Sequence, residues 1–306
     1  MKVLITGGAG FIGSNIVSLG VSKGHHVTVV DNLSTGYREN LNGLPVKFVQ
    51  GDIADRALLD ELTQGIDCVF HLAASVGNVR SLEDPYADVQ ANYHGTLNVL
   101  EAIRKNKVPT LVYSSTAAGY GEPVRLPIDE EHPFNPDSPY GITKIAGEKL
   151  ALCYGRTYGF RVVCLRYFNA YGVNQRYDAY GNVIPIFATR IRQNLPLTVY
   201  GTGEQTRDFI EVTDIAKANW KAAESDLQGY FNVATGKRTS INQLIGVLRE
   251  VSGKELQVNY TSSRKGEVLH SVADIQKATK HLSFTPGVSL TDGLRRYWDW
   301  FKDLSN

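Results

Sequence analysis

Cysteine and methionine are scarce in this chain of 306 residues, which contains three cysteines and one methionine. Cys68, Cys153 and Cys164 show no Cys-x-x-Cys spacing, and Cys68 and Cys164 lie within apolar runs. An odd and unpatterned set of this kind argues against a disulfide framework or a thiolate metal site. The sequence therefore predicts unreactive core thiols in a reducing compartment, and it predicts no metal.

An excess of charge of one sign is also absent, because 32 lysines and arginines stand against 31 aspartates and glutamates. No run of like charges forms a basic tail or a membrane-binding patch, so no nucleic-acid partner is expected. No apolar run reaches the roughly 18 residues of a membrane-spanning helix, and glycines interrupt the first one, unlike in a signal peptide. These absences predict a cytoplasmic protein without a membrane partner.

What the chain does contain, up to about residue 168, is an alternation of short β-branched runs with longer helical patterns. The candidate strands are residues 3–6, 26–31, 47–50, 68–72, 110–114 and 161–167. The candidate helices are residues 55–62, 87–106 and 139–158, and Ser138-Pro139 is a typical start for the last one. The alternation predicts an α/β fold with a doubly wound parallel sheet of the Rossmann type.

This alternation ends after Asn169, where loops rich in tyrosine, asparagine and glycine begin. Helices are expected at residues 185–193 and after Ser240, and strands at residues 197–200 and 230–234. We therefore expect a Rossmann domain over residues 1–168 and a smaller C-terminal α/β substrate-binding lobe over residues 169–306. The boundary is expected to be interleaved, with strands near 197–215 and 230–236 returning to the large sheet.

The stretch TGGAGFIG, residues 6–13, joins the first predicted strand to a helix. Gly7, Gly10 and Gly13 lack side chains where the turn is tight and where the pyrophosphate of a dinucleotide meets the backbone. The helix start that follows offers free N–H groups to that anion. A second strand ends at Asp31, 18 positions after Gly13, where a carboxylate accepts both ribose hydroxyls and repels a 2′-phosphate. The pattern therefore favours NAD over NADP.

Two aspartates in this region also have structural explanations. An Asp-Asn turn accounts for Asp31 without any ligand. Asp52, which follows the third strand, is placed either to border an adenine or to cap a helix.

Tyr140 and Lys144 lie four residues apart on the predicted helix 139–158, so both project from one face. This helix follows the strand 110–114, whose carboxyl end carries Ser114-Ser115-Thr116, and ligands of open α/β sheets bind beyond such ends. A phenol ionises at about pH 10, but an adjacent ammonium and a positive nicotinamide both favour the phenolate. Tyr140 is therefore a candidate general base, and Thr116 is a candidate for orienting a substrate hydroxyl.

Several of these motifs together resemble the extended short-chain dehydrogenase/reductase family over essentially the whole chain. They are TGGAGFIG, the strand that ends at Asp31, HLAA at 71–74, SST at 114–116 and Tyr140-xxx-Lys144. RYFNAYG at 166–172, GNVIP at 181–185 and GTGEQTRDFI at 201–210 look like the nucleotide-sugar branch of that family. The resemblance implies NAD as cofactor, a UDP-sugar as substrate and a homodimer that forms through helices 87–106 and 139–158.

The resemblance also implies a role for particular residues, with Thr116, Tyr140 and Lys144 as the catalytic group. The cofactor contacts that it implies are Gly7, Gly10, Phe11, Ile12, Gly13, Asp31, Asn32, Asp52, Ile53, Leu72, Ala73, Ala74, Tyr140 and Lys144. The substrate contacts that it implies are Arg80, Thr116, Asn169, Asn182, Val183, Thr198, Tyr200, Arg207, Arg264, Glu267 and Ser271. Among these, Asn169, Arg207 and Arg264 would contact phosphate, residues 198–200 would border the uracil, and Glu267 would hold the ribose. Whether His71, Arg80 or Tyr171 touches substrate stays open at this point.

The same resemblance narrows the reaction, because dehydratases of the branch carry Asp-Glu after the catalytic threonine and decarboxylases carry a glutamate there. This chain has Ala117 and Ala118 instead. A 4-epimerase reaction is therefore expected, in which Tyr140 removes the 4-hydroxyl proton and a 4-keto sugar forms. A UDP-glucuronate 4-epimerase or decarboxylase is the alternative enzyme, and a non-catalytic NAD sensor is the alternative of another class.

The sugar itself is predicted from a single position. Ser271 stands where plain UDP-galactose epimerases resembling this chain carry a bulky tyrosine, and VGNVRSLEDP at 76–85 looks like N-acetylhexosamine epimerases. A small residue leaves room for a 2-acetamido group. The sequence therefore favours UDP-N-acetylglucosamine and UDP-N-acetylgalactosamine, with UDP-glucose and UDP-galactose as the other pair.

Overall fold

The computed structural model describes residues 1–177, 182–263 and 268–304. The strands are β1 (Lys2–Thr6), β2 (His26–Asp31), β3 (Lys47–Gln50), β4 (Cys68–His71), β5 (Thr110–Thr116), β6 (Arg161–Tyr167), β7 (Asn169–Tyr171), β8 (Leu197–Tyr200), β9 (Thr206–Arg207), β10 (Phe209–Glu211), β11 (Gly229–Val233), β12 (Thr239–Ser240) and β13 (Val258–Thr261). The α-helices are α1 (Phe11–Ser22), α2 (Arg56–Leu62), α3 (Asn78–Glu83), α4 (Pro85–Asp88), α5 (Thr96–Asn106), α6 (Pro139–Tyr158), α7 (Val183–Arg192), α8 (Val212–Glu224), α9 (Ile241–Ser252), α10 (Gln276–Leu282) and α11 (Leu290–Lys302). A π-helical turn, Val89–Gly95, joins α4 to α5, and Arg38–Leu41 and Ala117–Gly119 form short 3-10 turns.

Seven strands of the described residues form one parallel sheet in the order β3, β2, β1, β4, β5, β6 and β11. This arrangement confirms the doubly wound α/β sheet predicted from the sequence. The predicted strands 26–31, 47–50 and 161–167 and the predicted helix 139–158 match the structure at both ends. The chain runs outward from β1 to β3 and then crosses to β4 on the other side of β1, so the strand order reverses there. A crevice for ligands opens at such a point, outside the carboxyl ends of the strands.

Three sequence-based expectations are wrong in detail. The region 197–215 does not return to the large sheet, because β8 pairs with β13, β9 with β12 and β10 with β7 in separate two-stranded sheets. The helix predicted at 87–106 begins earlier, at Pro85, because Asp84 accepts a hydrogen bond from Ala87 N and proline suits the first turn. The π-helical turn then interrupts this helix. Cys153 is exposed, so only the other two cysteines are core thiols.

Each face of the sheet has its own hydrophobic core, because neighbouring residues of β1 point to opposite sides. Val3 and Ile5 pack with Trp220 of α8 on one face, and Leu4 packs with Leu100 of α5 on the other. A third cluster joins α7, α9 and α11 in the C-terminal part of the chain. Burial on both faces explains why these strands are nearly continuous apolar runs in the sequence.

No α-helix within the described ranges is long and apolar enough to cross a membrane.

A buried ion pair fixes helix α6 against the sheet. Glu148 of α6 accepts hydrogen bonds from Nη2 of Arg166 at 2.6 Å and from Nε of the same guanidinium at 3.0 Å. The two side chains are 0% and 1% exposed. Ser115 of β5 donates to the same carboxylate at 2.6 Å, and Nη1 of Arg166 donates to Tyr120 Oη at 2.9 Å. Because the charges satisfy each other, the pair holds α6 in one register against β5 and β6.

Replacing Glu148 by alanine should destabilise the protein by about 3–5 kcal/mol, because Arg166 would be left buried without a counter-charge. Urea unfolding followed by circular dichroism measures this free energy. Glu250→Ala is the matched control, since its partner Arg295 lies 3.4 Å away on the surface and both side chains are at least half exposed. The control should lose at most about 1 kcal/mol. Equal losses in the two variants would contradict the anchoring role of the buried pair.

Candidate active site

A cavity of about 840 Å³ lies at the carboxyl edge of the large sheet, between it and the C-terminal part of the chain. It is lined by most of the residues named from the sequence. These are Gly7, Gly10, Phe11, Ile12, Gly13, Asp31, Asn32, Asp52, Ile53, Leu72, Ala73, Ala74, Arg80, Thr116, Tyr140, Lys144, Asn169, Asn182, Arg207 and Ser271. Residues expected at a dinucleotide and residues expected at a sugar nucleotide therefore share one cavity.

Three described residues named from the sequence do not line this cavity. Val183 begins helix α7, and Thr198 and Tyr200 lie on β8, whose strand partner is β13. Arg264 and Glu267 lie outside the described residues. The predicted roles of these five residues stay predictions.

The glycine-rich turn brings backbone into close contact with backbone. Gly7 has φ +71, and a Cβ at this position would lie 2.7 Å from Ala73 N. A Cβ at Gly13 would lie 2.1 Å from the carbonyl oxygen of Gly7. Gly10 precedes helix α1, and no described side chain caps its first turn. Phe11, Ile12 and Gly13 of that turn line the cavity, and its first N–H groups have no side-chain acceptor, as an anion site requires.

The two aspartates predicted at the cofactor both organise loops. Asp31 Oδ2 accepts a hydrogen bond from Ala9 N at 2.9 Å, and Oδ1 accepts one from Leu33 N at 2.8 Å, so the Asp-Asn turn is present. Each carboxylate oxygen keeps a lone pair that can accept a ribose hydroxyl. Asp52 accepts hydrogen bonds from Ala54 N and from the Asn32 side chain. Asp52 is therefore not the helix cap, a position that Asp55 occupies at the start of α2.

Tyr140 and Lys144 project from the first two turns of α6 into the cavity beside Thr116, the last residue of β5. Ser138 starts this helix by accepting a hydrogen bond from Gly141 N at 3.2 Å. Burial raises the pKa of Tyr140, and its hydrogen bond with Thr116 lowers that pKa. Burial also lowers the pKa of Lys144 to about 8. The protein alone therefore favours a neutral phenol, and the expected phenolate needs additional positive charge in the cavity.

His71, at the end of β4, is a buried residue that does not line the cavity. Its Nδ1 is 2.7 Å from Thr6 Oγ1, and its Nε2 is 3.0 Å from Thr96 Oγ1. The Thr96 hydroxyl donates to the carbonyl of Asn92 at 2.7 Å, so we assign the hydrogen of His71 to Nε2. Burial and the charge of Lys144 lower the pKa of His71 to about 3. His71 is thus a neutral, packed histidine.

Of the other two residues left open by the sequence, Arg80 lines the cavity and Tyr171 does not. Tyr171 is 1% exposed, and its hydroxyl is 3.5 Å from the carbonyl of Leu290. Only Arg80 is therefore placed to meet a ligand.

Asn92 is an important residue that the sequence did not reveal. Its side-chain amide accepts a hydrogen bond from Ser75 N at 2.9 Å and donates to Ser75 O at 3.0 Å. It also donates to Thr143 Oγ1 at 3.1 Å, and Thr143 donates to the carbonyl of Tyr140 at 3.2 Å. One buried amide therefore connects the cavity wall at Ser75 to the first turn of α6. The signal available in the sequence is the polar spacing of positions 88, 92 and 96 within an otherwise amphipathic helix.

Asp208 holds together segments that carry residues predicted at the substrate. Its buried carboxylate accepts hydrogen bonds from Thr235 N at 2.8 Å, Gly236 N at 2.9 Å and Ala273 N at 3.2 Å. Arg207 precedes Asp208 in the chain, and Ser271 lies two residues before Ala273. The carboxylate of Asp208 therefore sets the distance between the Arg207 side of the cavity and the Ser271 side.

The positions next to Thr116 carry no acid. Ala117 and Ala118 both line the cavity, at the positions where the resemblance implies carboxylates for a dehydratase. Among the residues that the structure describes, no group of histidine, cysteine, aspartate and glutamate side chains is arranged to hold a metal ion. The site offers a phenol, an ammonium and hydroxyl groups for proton transfer.

Comparison with known proteins agrees with this geometry. The model of the NAD dependent epimerase/dehydratase family matches residues 3–234. A putative UDP-glucose 4-epimerase of Methanocaldococcus jannaschii is 39% identical over 303 residues, which are 98% of both chains. The solved UDP-N-acetylglucosamine 4-epimerase of Methanobrevibacter ruminantium, in complex with UDP-N-acetylmuramic acid, is 38% identical with a TM-score of 0.94 over 98% of this chain and 97% of that one. The UDP-glucose 4-epimerase of Thermus thermophilus, in complex with NAD, is 37% identical with a TM-score of 0.90 over 100% of both chains.

Proposed function

Because the chain belongs to the NAD-dependent epimerase/dehydratase family, we propose that it inverts carbon 4 of a UDP-hexose, with UDP-N-acetylglucosamine and UDP-N-acetylgalactosamine as its preferred pair. One observation carries the proposal. Thr116, Tyr140 and Lys144 face the same cavity as the glycine-rich turn, while Ala117 and Ala118 supply no further acid or base. Such a site can move one proton and one hydride reversibly, and it lacks the pair of carboxylates that the resemblance implies for a dehydratase.

The residues on the sheet side of this cavity fit NAD. The open first turn of α1 suits the pyrophosphate, and the close backbone contact between Gly7 and Ala73 leaves no room for a side chain at Gly7. Asp31 suits an unmodified adenosine ribose. NAD held by these residues would supply reversible hydride transfer at carbon 4 of the substrate.

Tyr140 is the proposed general base. Its phenolate accepts the proton of the 4-hydroxyl group and returns a proton when the sugar is reduced again. Burial raises the pKa of Tyr140 in the protein alone, and a positively charged nicotinamide in the cavity would lower it. The Thr116 hydroxyl stabilises the phenolate by hydrogen bonding, and the ammonium of Lys144 adds positive charge to the same cavity. A non-catalytic NAD sensor would not need this group.

The opposite side of the cavity is proposed to hold the UDP group. Asn169, Asn182 and Arg207 line it, and a guanidinium and two amides suit a diphosphate. Arg264 and Glu267 are expected to continue this site, and Thr198 and Tyr200 are expected near the uracil.

The N-acetylhexosamine preference depends on Ser271. This residue lines the cavity with Val268 and Ile128, and its backbone N–H donates to the carbonyl of Thr206 at 3.1 Å. This hydrogen bond fixes the backbone at Ser271. The small side chain leaves the cavity wide at this position. A 2-acetamido group fits such a space, as the likeness to the Methanobrevibacter ruminantium enzyme also suggests.

We also propose that the protein is a cytoplasmic homodimer. Apolar side chains are exposed on neighbouring surfaces of α3, α4 and α6, namely Leu82 at 65%, Tyr86 at 82% and Ile142 at 55%. Contiguous exposed apolar groups of this kind mark protein interfaces. A second copy of the chain is the expected partner, because α4 and α6 belong to the two long helical regions expected at the dimer contact.

The sugar prediction is tested by proton NMR of the purified protein with UDP-glucose, UDP-N-acetylglucosamine and UDP-glucuronate in turn, without added cofactor. We expect an axial-hydroxyl product, formed fastest from UDP-N-acetylglucosamine. Ser271→Tyr should reduce that turnover at least about tenfold while sparing UDP-glucose, because the ring fills the acetamido space. Ser22→Tyr, at the exposed end of α1, is the control. Release of carbon dioxide from UDP-glucuronate would instead identify a decarboxylase.

Thr116→Val should shift the acidic limb of the kcat–pH profile to higher pH by roughly one to two units, because a hydrogen bond to a charged group contributes about 1.5–3 kcal/mol. The sign follows from the base role. Removing a donor raises the pKa of Tyr140, so more alkaline solution is needed to form the phenolate. Thr116→Ser keeps the donor and should keep the profile, whereas Tyr140→Phe should abolish turnover at every pH. An unshifted limb in the valine variant would contradict the proposed donor.

The homodimer is tested by light scattering after size exclusion. The protein should elute at twice its 33.7 kDa chain mass, and Tyr86→Asp should shift the population to monomer because it places a charge in the apolar contact. Tyr260→Asp, at an exposed tyrosine of β13, should leave the mass unchanged. A monomeric unmodified protein would overturn the proposal.

A further inference from the structure

Residues 172–177 connect the two sides of the cavity, and none of them lines it. This segment, called the clasp below, follows β7 directly. On the C-terminal side, Tyr297 of α11 donates to the carbonyl of Gln175 at 3.0 Å. Gln175 also donates through its side chain to the carbonyl of Ala170 at 3.3 Å. The clasp is therefore attached to the part of the protein proposed to hold UDP.

The other side of the clasp contacts the start of α1, the helix whose first turn faces the NAD pyrophosphate site. Asn15 Nδ2 donates to the carbonyl of Val173 at 3.0 Å, and Asn174 Nδ2 donates to Ser14 Oγ at 3.0 Å. Ser14 is 1% exposed, and it follows Gly13, which lines the cavity. About 160 residues of chain separate the partners in these bonds, so they are purely tertiary contacts.

A third contact joins the clasp to the loop that follows β2. The guanidinium carbon of Arg176 lies 3.8 Å from the centre of the Tyr37 ring, a close cation–π contact. Tyr37 N donates to the carbonyl of Ala9 in the glycine-rich turn at 3.0 Å. Two neighbours of Tyr37 in this loop, Ser34 and Thr35, line the cavity next to Asp31.

We infer that the clasp slows the release of NAD. The glycine-rich turn and the loop that follows β2 both border the proposed NAD site, and the clasp ties each of them to the C-terminal part of the chain. Asn174 and Arg176 are thus positioning residues for the cofactor, and they do not touch it. An epimerase regenerates its cofactor within each turnover, so slow release is useful to it. The inference depends on NAD dependence alone and is independent of the sugar.

The test measures NAD release from the holoprotein. The purified protein, with its NAD bound, is diluted into alcohol dehydrogenase and ethanol, so that released NAD is reduced and its appearance is read at 340 nm. Arg176→Ala should release NAD roughly threefold to tenfold faster than the unmodified protein, as expected for the loss of one cation–π contact. Arg295→Ala, which shortens an exposed arginine of α11, should release it at the original rate.

Tyr37→Leu removes the other partner of the Arg176–Tyr37 cation–π contact, so it distinguishes the loss of this contact from a general loss of folding. It should accelerate release to the same degree as Arg176→Ala, and the double variant should be no faster than either single variant, because both remove one interaction. Asn174→Ala should add a separate acceleration of about twofold to tenfold. Circular dichroism is the measurement that checks whether each variant is folded. Unchanged release from the variants, or fully additive effects of Arg176→Ala and Tyr37→Leu, would overturn the inference, whatever sugar the enzyme prefers.

Discussion

The docking of helix α6 on the parallel sheet is the constraint on which the site depends. The carboxylate of Glu148 binds Arg166 and Ser115 in the interior, and the amide of Asn92 connects the first turn of the same helix to the cavity wall. These buried polar contacts have few alternative partners, so they select one register of the helix. Tyr140 consequently faces the cavity that the glycine-rich turn also borders.

The ionisation of the side chains in this site follows from their burial. Water is displaced from around the phenol and the ammonium, and each loses part of the solvation of its charged form. For that reason burial raises the pKa of Tyr140 and lowers that of Lys144 to about 8. The same environment keeps His71 neutral. A positively charged cofactor then has a large effect on ionisation, which links the chemistry to the occupancy of the cofactor site.

Two sets of contacts, made by residues that do not line the cavity, join separate segments of the chain around it. Asp208 connects the segments of Arg207 and Ser271, and the clasp connects α11 to the start of α1. Neither element adds a reactive group. Asp208 fixes two segments on the proposed substrate side relative to each other, and the clasp is proposed to limit how far that side separates from the cofactor side. Both suit the proposed reaction, in which the intermediate must stay bound between two hydride transfers.

The local sequence determined the large sheet, because apolar β-branched runs, the Ser138-Pro139 helix start and the glycine-rich turn each act within a few residues. It also indicated Tyr140 and Lys144 through their spacing and their position after the strand that ends near Thr116, and Asp31 through its position at a strand end. The tertiary structure decided the remainder, since the partners of Asn92 and the separate pairing of β8 with β13 join residues far apart in the chain. Such contacts leave no periodic pattern in the sequence, because their geometry exists only after the sheet has brought the segments together.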